Sequence, residues 1–285
     1  MPSMADTPSR PQSAPRIDTN RRHAFGTSYH STSAQTYHSV RPGYFPEIID
    51  FLLEEQDQPL QVSASALDLG AGTGLFTQVL VDYGFTVTAV EPAESMAAFL
   101  SQRLPQAQVL QLSVEDLDHR VRHDPDLARR LGDQTLIVAA QSWHWFDPDQ
   151  LCTMVASLLK PTGVLGIVHH QLDTSIPWVH RLTRIMHAGD VHPVELSPAL
   201  VPPFRPAEGR WWHWNDVLGP QELHQLMQTR SFYMRTTDTQ RQRMHHNLDW
   251  YLHQHLGYRP EESIAVPYVT SAWRTQVHRR SPASD

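Results

Sequence analysis

The chain has 285 residues, of which 40% are hydrophobic and 19% charged, a balance that can bury one large α/β core. Its formal charge of −7 at pH 7 excludes a global basic field that would draw the chain to nucleic acid. The single cysteine, Cys152, excludes an intramolecular disulfide and a cysteine-based metal cluster. No apolar run could cross a bilayer and no signal-peptide core is present, so we expect a soluble cytoplasmic protein without a membrane partner.

The N-terminal region divides into two parts. Residues 1–22 combine four prolines with polar residues, which predicts a disordered tail. Residues 23–55 are predicted to be ordered and to end in an amphipathic helix over 46–53, because Ile48, Ile49, Leu52 and Leu53 follow helical spacing.

Short apolar strands then alternate with helices, which is typical of a parallel sheet covered by helices on both faces. The predicted strands are Ala66–Leu69, Thr86–Val90, Val109–Leu112, Leu136–Ala140 and Val164–Val168. The predicted helices are Leu75–Tyr83, Glu94–Arg103 and Pro148–Leu159, the last stopped by Pro161-Thr162-Gly163. The polar stretch between the third and fourth strands is predicted to be irregular.

The alternation stops after His170. Six prolines between 173 and 210 predict a cap of helices and loops. Further strands are predicted at 209–215 and 264–273, with helices near 220–229 and 240–256. The predicted domains are therefore a core with an N-terminal lid segment (23–172), a cap or substrate-binding insertion (173–210), the C-terminal part of the core (211–275) and a disordered tail (276–285).

The segment Gly70-Ala71-Gly72-Thr73-Gly74 follows an apolar strand and opens a helix. Glycines there permit positive φ and close approach of a ligand, and the helix N-terminus exposes backbone amides. A dinucleotide site would have its third glycine at 75, where this chain has leucine. The spacing favours a nucleoside carrying a carboxylate and a sulfonium over a pyrophosphate, with Asp68 placed to meet the ligand's ammonium group.

Two further strand ends carry candidate nucleoside contacts. Glu91 closes the second strand, 17 residues after Gly74, and a carboxylate there can accept hydrogen bonds from both ribose hydroxyls. Ser113-Val114-Glu115 ends the third strand, where a backbone N–H and a carboxylate suit an adenine edge. Ser113 followed by Asp116 also suits a helix cap, and one segment can do both.

Three segments carry a resemblance to a known family. Leu67-Asp68-Leu69-Gly70-Ala71-Gly72-Thr73-Gly74, Val90-Glu91-Pro92 and Ala140-Gln141-Ser142-Trp143-His144-Trp145-Phe146 resemble class I S-adenosylmethionine (SAM)-dependent methyltransferases of the type 11 methyltransferase-domain group. Within that group, the chain is similar to small-molecule enzymes of the trans-aconitate methyltransferase type. Tyr37-x-x-x-Arg41-Pro42-x-Tyr44 and Val266-Pro267-Tyr268-Val269-Thr270 share the likeness, which spans residues 23–275.

The resemblance implies a Rossmann-like seven-stranded sheet, mostly parallel with the last strand antiparallel, and SAM across the carboxyl ends of its strands. With the residue patterns above, it gives cofactor contacts from Tyr37, Arg41, Asp68, Gly70, Ala71, Gly72, Gly74, Glu91, Pro92, Met96, Ser113, Val114, Glu115, Gln141 and Ser142. The predicted substrate contacts are Trp143, Trp145, His170 and Trp178.

Methyl transfer needs a base only if the acceptor must lose a proton. His144 and His169 are the candidate bases, because both are placed near the carboxyl ends of strands; a structural role for each stays open. No metal site is expected, since the histidines at 245, 246, 253 and 255 lack a carboxylate in a metal-binding pattern.

These observations predict a SAM-dependent methyltransferase that acts on a small molecule, at a hydroxyl or carboxylate oxygen, in secondary metabolism, and releases S-adenosylhomocysteine (SAH). The alternatives are a cyclising or pericyclic reaction on the same fold, a macromolecule methyltransferase, and an NAD-dependent oxidoreductase. Trp178, Trp211, Trp212 and Trp214 are assigned to the cap, where they favour a flat or hydrophobic acceptor and could also form a homodimer surface.

Overall fold

A computed structural model of the chain describes residues 34–54, 64–189 and 194–278. These residues build one seven-stranded sheet in the order β3-β2-β1-β4-β5-β7-β6. The strands are β1 (Ser65–Leu69), β2 (Thr86–Val90), β3 (Gln108–Leu110), β4 (Gln134–Ala140), β5 (Leu159–Leu172), β6 (Glu208–Leu218) and β7 (Ile264–Thr275).

The helices pack around this sheet. They are α1 (Ala34–Val40), α2 (Glu47–Leu53), α3 (Leu75–Tyr83), α4 (Glu94–Arg103), α5 (Val114–His123), α6 (Pro125–Leu131), α7 (Pro148–Leu158), α8 (Pro177–Met186), α9 (Pro220–Gln228), α10 (Ser231–Arg235) and α11 (Asp238–Asp249). A one-turn 3-10 helix covers Trp143–Trp145, and a π-helical turn at Trp250–His255 continues α11.

The strand directions confirm the predicted fold. Strands β1 to β5 are parallel, whereas β7 runs antiparallel to both β5 and β6. Asp68 lies opposite Ala89 on one side and Val138 on the other. Because parallel strands end at the same edge, the residues that follow β1, β2, β4 and β5 meet there.

Both faces of the sheet are buried, as expected for short apolar strands. Alternate side chains of β1 and β4 point to opposite faces, so that Leu67 and Ile137 pack toward α7, whereas Ala66 and Leu136 pack toward α2 and α3. A third cluster joins α8, α9 and α11 to the start of β7, and Val40 of α1 packs into it. The N-terminal segment therefore rests on the C-terminal helices.

The expectation of an irregular stretch before β4 was wrong, because α5 and α6 occupy it. Ser113 and Asp124 cap the two helices by accepting backbone N–H bonds, and Pro125 takes the first position of α6. Val114 and Leu117 are buried on the inner face of α5. The charged outer faces of these short helices conceal the apolar spacing in the sequence.

The tryptophans assigned to the cap lie mostly elsewhere. Trp211, Trp212 and Trp214 belong to β6, which crosses the predicted domain boundary at 210. Alternating exposure along this edge strand explains its mixed polar and aromatic sequence. At the C-terminal end, the His278 N–H donates to the Pro203 carbonyl at 2.7 Å. The tail predicted at 1–22 and residues 279–285 lie outside the described residues.

Candidate cofactor and active site

A cavity of about 710 Å³ opens at the edge of the sheet where β1, β2, β4 and β5 end. Sixteen of the residues predicted as cofactor or substrate contacts line it: Tyr37, Arg41, Asp68, Gly70, Ala71, Gly72, Glu91, Pro92, Met96, Ser113, Val114, Glu115, Gln141, Ser142, Trp145 and His170. The structure thus brings together segments that are more than 130 residues apart in the sequence.

The glycine loop forms the floor of the cavity. Gly70 and Ala71 both donate backbone N–H bonds to the Val90 carbonyl, at 2.8 and 3.0 Å. Gly70 has φ 71°, and a Cβ there would lie 2.7 Å from the Ser142 Cβ. Gly72 has φ 58°, but a Cβ there would meet nothing within 4 Å. The backbone conformation and the close packing therefore require glycine at 70, and the open space above 72 is available to a ligand.

Glu91 anchors the loop to the end of β2. Its carboxylate accepts backbone N–H bonds from Gly72 and Ala93, both at 2.8 Å, one at each oxygen. Burial raises the pKa of Glu91, and the two backbone hydrogen bonds oppose that shift. Each carboxylate oxygen retains a further lone pair, so the group can still accept hydrogen bonds from two vicinal hydroxyls.

Asp68 lies beneath the loop with its side chain fully buried. Its Oδ2 accepts a hydrogen bond from the Thr77 hydroxyl at 2.7 Å, whereas its Oδ1 has no partner among the described residues. Burial raises the pKa of Asp68 to about 7, with the Thr77 hydrogen bond opposing and the Glu91 charge adding to the shift. A cationic ammonium group is the partner that a buried, half-satisfied carboxylate lacks, so the site fits an amino-acid moiety.

The residues after β3 form another wall of the cavity. The Ser113 hydroxyl accepts the Asp116 N–H at 3.0 Å and donates to the Asp116 carboxylate at 2.7 Å, so Ser113 caps α5. Val114 and Glu115 line the cavity from the first turn of the same helix. The capping interpretation of Ser113 is therefore correct, and the capped helix presents its start to the cavity.

The segment after β4 crosses the cavity edge in a strained conformation. Gln141 has φ 59°, a left-handed value that costs a residue other than glycine about 1–3 kcal/mol. Its backbone N–H donates to the Val168 carbonyl at 2.8 Å, and its side-chain amide donates to the His170 carbonyl at 2.6 Å. The Ser142 hydroxyl donates to the Leu69 carbonyl at 2.5 Å. These bonds tie the ends of β1, β4 and β5 together.

Tyr37 and Arg41 belong to the N-terminal lid segment, and both line the cavity. The Arg41 guanidinium lies 4.8 Å from the centre of the Tyr37 ring, and it donates to the Thr229 carbonyl at the end of α9 at 2.9 Å. The C-terminal helices therefore hold the lid in place.

Five predicted site residues do not line this cavity: Gly74, Trp143, His144, His169 and Trp178. His144 was predicted at the end of β4, but it lies in the following 3-10 turn, 5.9 Å from the His169 ring. Burial lowers the pKa of His169 to about 4. The Trp143 indole donates to the Ala199 carbonyl at 3.1 Å. Trp178 lies on α8, where its carbonyl accepts the Tyr251 hydroxyl at 2.8 Å.

Sequence reasoning missed eleven lining residues: Pro42, Tyr44, Thr73, Leu75, Phe76, Ala93, Asp116, Ala140, Phe146, Asp147 and Gln150. Most of them flank a residue that was predicted. Tyr44 ends the motif that begins at Tyr37, and Asp147 and Gln150 start the helix after β4. Helices that follow parallel strands begin at the ligand-binding edge, and this rule could have found them.

Two further observations bear on what the described part of the chain could bind. None of its helices has both the length and the apolar character needed to cross a membrane. Within residues 34–54, 64–189 and 194–278, no three His, Cys, Asp or Glu side chains converge on a point that could hold a metal ion.

Comparisons with known proteins agree with this geometry. A family model described as a methyltransferase domain matches residues 67–165, from β1 into β5. An uncharacterised methyltransferase of Mycobacterium tuberculosis (strain ATCC 25618 / H37Rv) is 33% identical over 236 residues, 82% of this chain and 89% of that one. An uncharacterised methyltransferase-like protein of Schizosaccharomyces pombe is 25% identical over 255 residues, 86% and 94% of the two chains.

A solved structure has the same fold. It comes from Anaeromyxobacter dehalogenans and is described as a candidate type II methyltransferase, with a TM-score of 0.59 at 22% identity, covering 83% of this chain and 97% of that one. The sheet order, the glycine loop with Glu91 and the relative at 33% identity lead to one conclusion. The chain belongs to the class I SAM-dependent methyltransferases, and SAM is its cofactor.

Proposed function

We propose that this enzyme transfers the methyl group of SAM to an oxygen atom, of a hydroxyl or a carboxylate, on a small-molecule acceptor. The observation that carries the proposal is one cavity with two kinds of wall. The glycine loop and Glu91 line it, and so do the aromatic rings of Tyr44, Trp145 and His170. Its volume of about 710 Å³ falls within the range of roughly 300–1,000 Å³ that small ligands occupy.

The cofactor would be held by groups in the cavity that can still form hydrogen bonds. Asp68 would accept a hydrogen bond from the ammonium group through its unpartnered Oδ1. Glu91 would accept the ribose hydroxyls, and the start of α5 at Ser113 to Glu115 would meet the adenine edge. Gln141 and Ser142 would lie beside the transferable methyl, because their segment crosses the same edge.

SAM supplies a methyl group on a positively charged sulfur, which is a good leaving group. The protein's contribution is to hold donor and acceptor aligned, which can lower the barrier by about 7–11 kcal/mol. The aromatic walls at Tyr44 and Trp145 would exclude water and orient a flat or apolar acceptor. The formal charge of −7 also favours a small acceptor over a nucleic acid.

The proposal is tested first by cofactor binding. Isothermal titration with SAH should show binding that Glu91→Ala weakens at least tenfold. The variant would remove the carboxylate that accepts the Gly72 N–H of the loop and would also accept the ribose hydroxyls. Glu94→Ala is the matched control, because Glu94 is exposed in the first turn of α4 and does not line the cavity. Equal affinities of the two variants would contradict the role of Glu91.

The reaction is tested by its product. The enzyme is incubated with SAM carrying a labelled methyl group and with a panel of small acids and hydroxyl compounds. We expect label in an organic product whose mass exceeds that of the acceptor by one methylene. A product that does not carry the labelled methyl group would indicate a cyclising or pericyclic reaction. Labelling of protein or RNA alone would indicate a macromolecular acceptor.

A further inference from the structure

A second concave site lies between helices α8 and α11. It is a groove of about 480 Å³ that shares none of its lining residues with the cofactor cavity. His180, Arg181 and Arg184 line it from α8, and Gln240, Met244 and Asn247 line it from α11. No Asp or Glu among the described residues contributes to its lining. In a chain with a formal charge of −7, this groove therefore concentrates positive charge.

The two arginines of the groove lack an anionic partner in the described part of the chain. Arg181 and Arg184 are exposed and three residues apart on α8, which places their side chains on one face of that helix. Neither forms an ion pair or a hydrogen bond with a described residue, whereas Arg122 on α5 bonds Asp118 at 2.8 Å. The guanidinium N–H groups of both groove arginines are thus available to a ligand.

Two aromatic rings hold Arg181 in position. Its guanidinium lies 5.6 Å from the centre of the Trp250 ring and 5.3 Å from the centre of the buried Tyr251 ring. The Tyr251 hydroxyl donates to the Trp178 carbonyl at 2.8 Å, which ties that ring to the start of α8. A cation–π contact positions the guanidinium without neutralising its charge. Less conformational entropy is then lost when the guanidinium binds a ligand.

Helix α11 adds neutral hydrogen-bonding groups and the base of the groove. Gln240 and Asn247 are seven residues apart, which is about two helical turns, and each side-chain amide can donate two N–H bonds. Met244 lies between them and is buried in the cluster that joins α8 to α11. The groove therefore combines guanidinium donors from one helix with amide donors from the other.

We propose that this groove binds a soluble small molecule through a phosphate group, with Arg181 and Arg184 as the charged contacts and Gln240 and Asn247 as further donors. A phosphate monoester carries a charge of about −1.5 to −2 at pH 7, which two guanidinium groups match. Its three terminal oxygens point in different directions and suit donors from two helices, whereas a carboxylate presents two oxygens in one plane. The site is separate from methyl transfer and does not depend on the acceptor.

The dimensions and charge of the groove favour a small ligand over an extended anionic surface. Its volume falls within the range of roughly 300–1,000 Å³ that small ligands occupy. Membranes and nucleic acids attract proteins through many cations at once. This groove offers two arginines in a concavity, on a chain whose negative charge repels such surfaces. A single phosphate group that enters the groove avoids most of that repulsion.

Binding is tested by calorimetry in the presence of SAH, which fills the cofactor cavity. The probes are inorganic phosphate, pyrophosphate and ribose 5-phosphate, with malonate as a dicarboxylate of similar charge, all at equal ionic strength. We expect at least one phosphate probe to bind with a Kd of about 1 mM or lower. Malonate should bind at least tenfold more weakly than that probe.

Three variants assign the binding to the groove. Arg184→Gln should weaken it at least tenfold, because one of two charges is removed. Arg181→Lys keeps the charge but loses the planar fork, and it should weaken binding at least fivefold. Arg243→Gln is the matched control, since Arg243 is exposed on α11 and does not line the groove, and its Kd should stay within threefold of wild type. The SAH Kd should stay within twofold in all three variants.

Methionine methyl spectra locate the bound probe. Met244 lines the groove, whereas Met96 lines the cofactor cavity. The phosphate probe should therefore shift the Met244 signal, and SAH should shift the Met96 signal. Met244→Leu and Met96→Leu assign the two signals.

Five outcomes would overturn the inference. No phosphate probe binds at about 1 mM or tighter; malonate binds as tightly as the best phosphate probe; Arg243→Gln loses as much affinity as Arg184→Gln; or the phosphate probe shifts Met96 and leaves Met244 unchanged. The fifth is binding to vesicles of phosphatidic acid and phosphatidylcholine without binding of any soluble phosphate, which would assign the groove to a membrane surface.

Discussion

Two buried acids next to the glycine loop define the cofactor site at the scale of single residues. Glu91 is satisfied by two backbone N–H groups, whereas Asp68 has one oxygen without a partner among the described residues. An unpaired buried carboxylate is costly and responds by holding its proton, which is why burial raises the pKa of Asp68 to about 7. Binding of a cationic group is expected to reverse that shift.

Cofactor affinity should therefore depend on pH through Asp68. The ammonium group binds the ionised carboxylate, and the free protein loses that form as pH falls through about 7. SAH should bind roughly twentyfold more weakly at pH 5.5 than at pH 7.5, measured by calorimetry. Asp68→Asn should bind weakly with little pH dependence; a pH dependence kept by this variant would assign the effect to another group, such as His38 beside Thr73.

A second prediction at the residue scale concerns Gly70 of the glycine loop. Gly70→Ala combines a left-handed φ of 71° with a contact of 2.7 Å to Ser142, so the loop must move. We expect SAH affinity to fall at least tenfold in calorimetry and the free energy of unfolding to fall by about 1–2 kcal/mol or more. Gly43→Ala is the control, because a Cβ there meets nothing within 4 Å. Wild-type binding by Gly70→Ala would show that the loop tolerates another conformation.

At the scale of elements, short helices contribute residues at or next to their ends to the cavity. Helix α5 starts at the cavity, and Ser113 both caps that start and lines the wall. Helix α1 is held over the cavity partly by the C-terminal helices, since Val40 packs among them and Arg41 bonds the end of α9. The elements that position the site are thus supported by parts of the chain far from it in sequence.

The cap at Ser113 can be tested apart from the ligand contact. Ser113→Ala should lower the free energy of unfolding in a denaturant titration by about 1 kcal/mol, because the Asp116 N–H loses its partner. The SAH affinity should change less than threefold, since Val114 and Glu115 remain. Ser113→Thr keeps a capping hydroxyl and should retain the stability. A large loss of affinity with unchanged stability would show that the hydroxyl serves the ligand.

At the scale of the whole molecule, the cofactor is expected to bridge parts of the chain that otherwise meet only at their edges. The cavity draws its walls from α1, the loop after β1, the ends of β2 and β4, and β5. A ligand that touches all of them binds the folded state alone, so it must stabilise the fold.

Thermal unfolding measures that coupling. SAH at one hundred times its Kd should add about 2.7 kcal/mol of stability and raise Tm by on the order of 5 °C. Glu91→Ala at the same SAH concentration should show little shift, and Glu94→Ala should match wild type. An equal shift in Glu91→Ala would mean that the ligand binds elsewhere.

Local patterns predicted much of this architecture. The bounds of α3, β2 and α4 were predicted to the residue, because apolar periodicity and glycine or proline punctuation act within a few residues. The same local patterns failed at α5 and α6, where charged residues outnumber the buried ones. The strand predicted at 209–215 lies within β6, but its tryptophans were wrongly assigned to the cap.

The glycine loop, its spacing to Glu91 and the alternation of strands and helices were sufficient by themselves to indicate the fold and the cofactor, since each depends on neighbours in sequence. Only the tertiary structure decided that Tyr44 lies on His170, that Thr270 and Trp214 stand behind it, and that His144 and His169 lie away from the cavity. The reason is physical. Burial, hydrogen-bond partners and the tautomer of a histidine depend on which distant strands pair, and no local pattern encodes the antiparallel packing of β7 between β5 and β6.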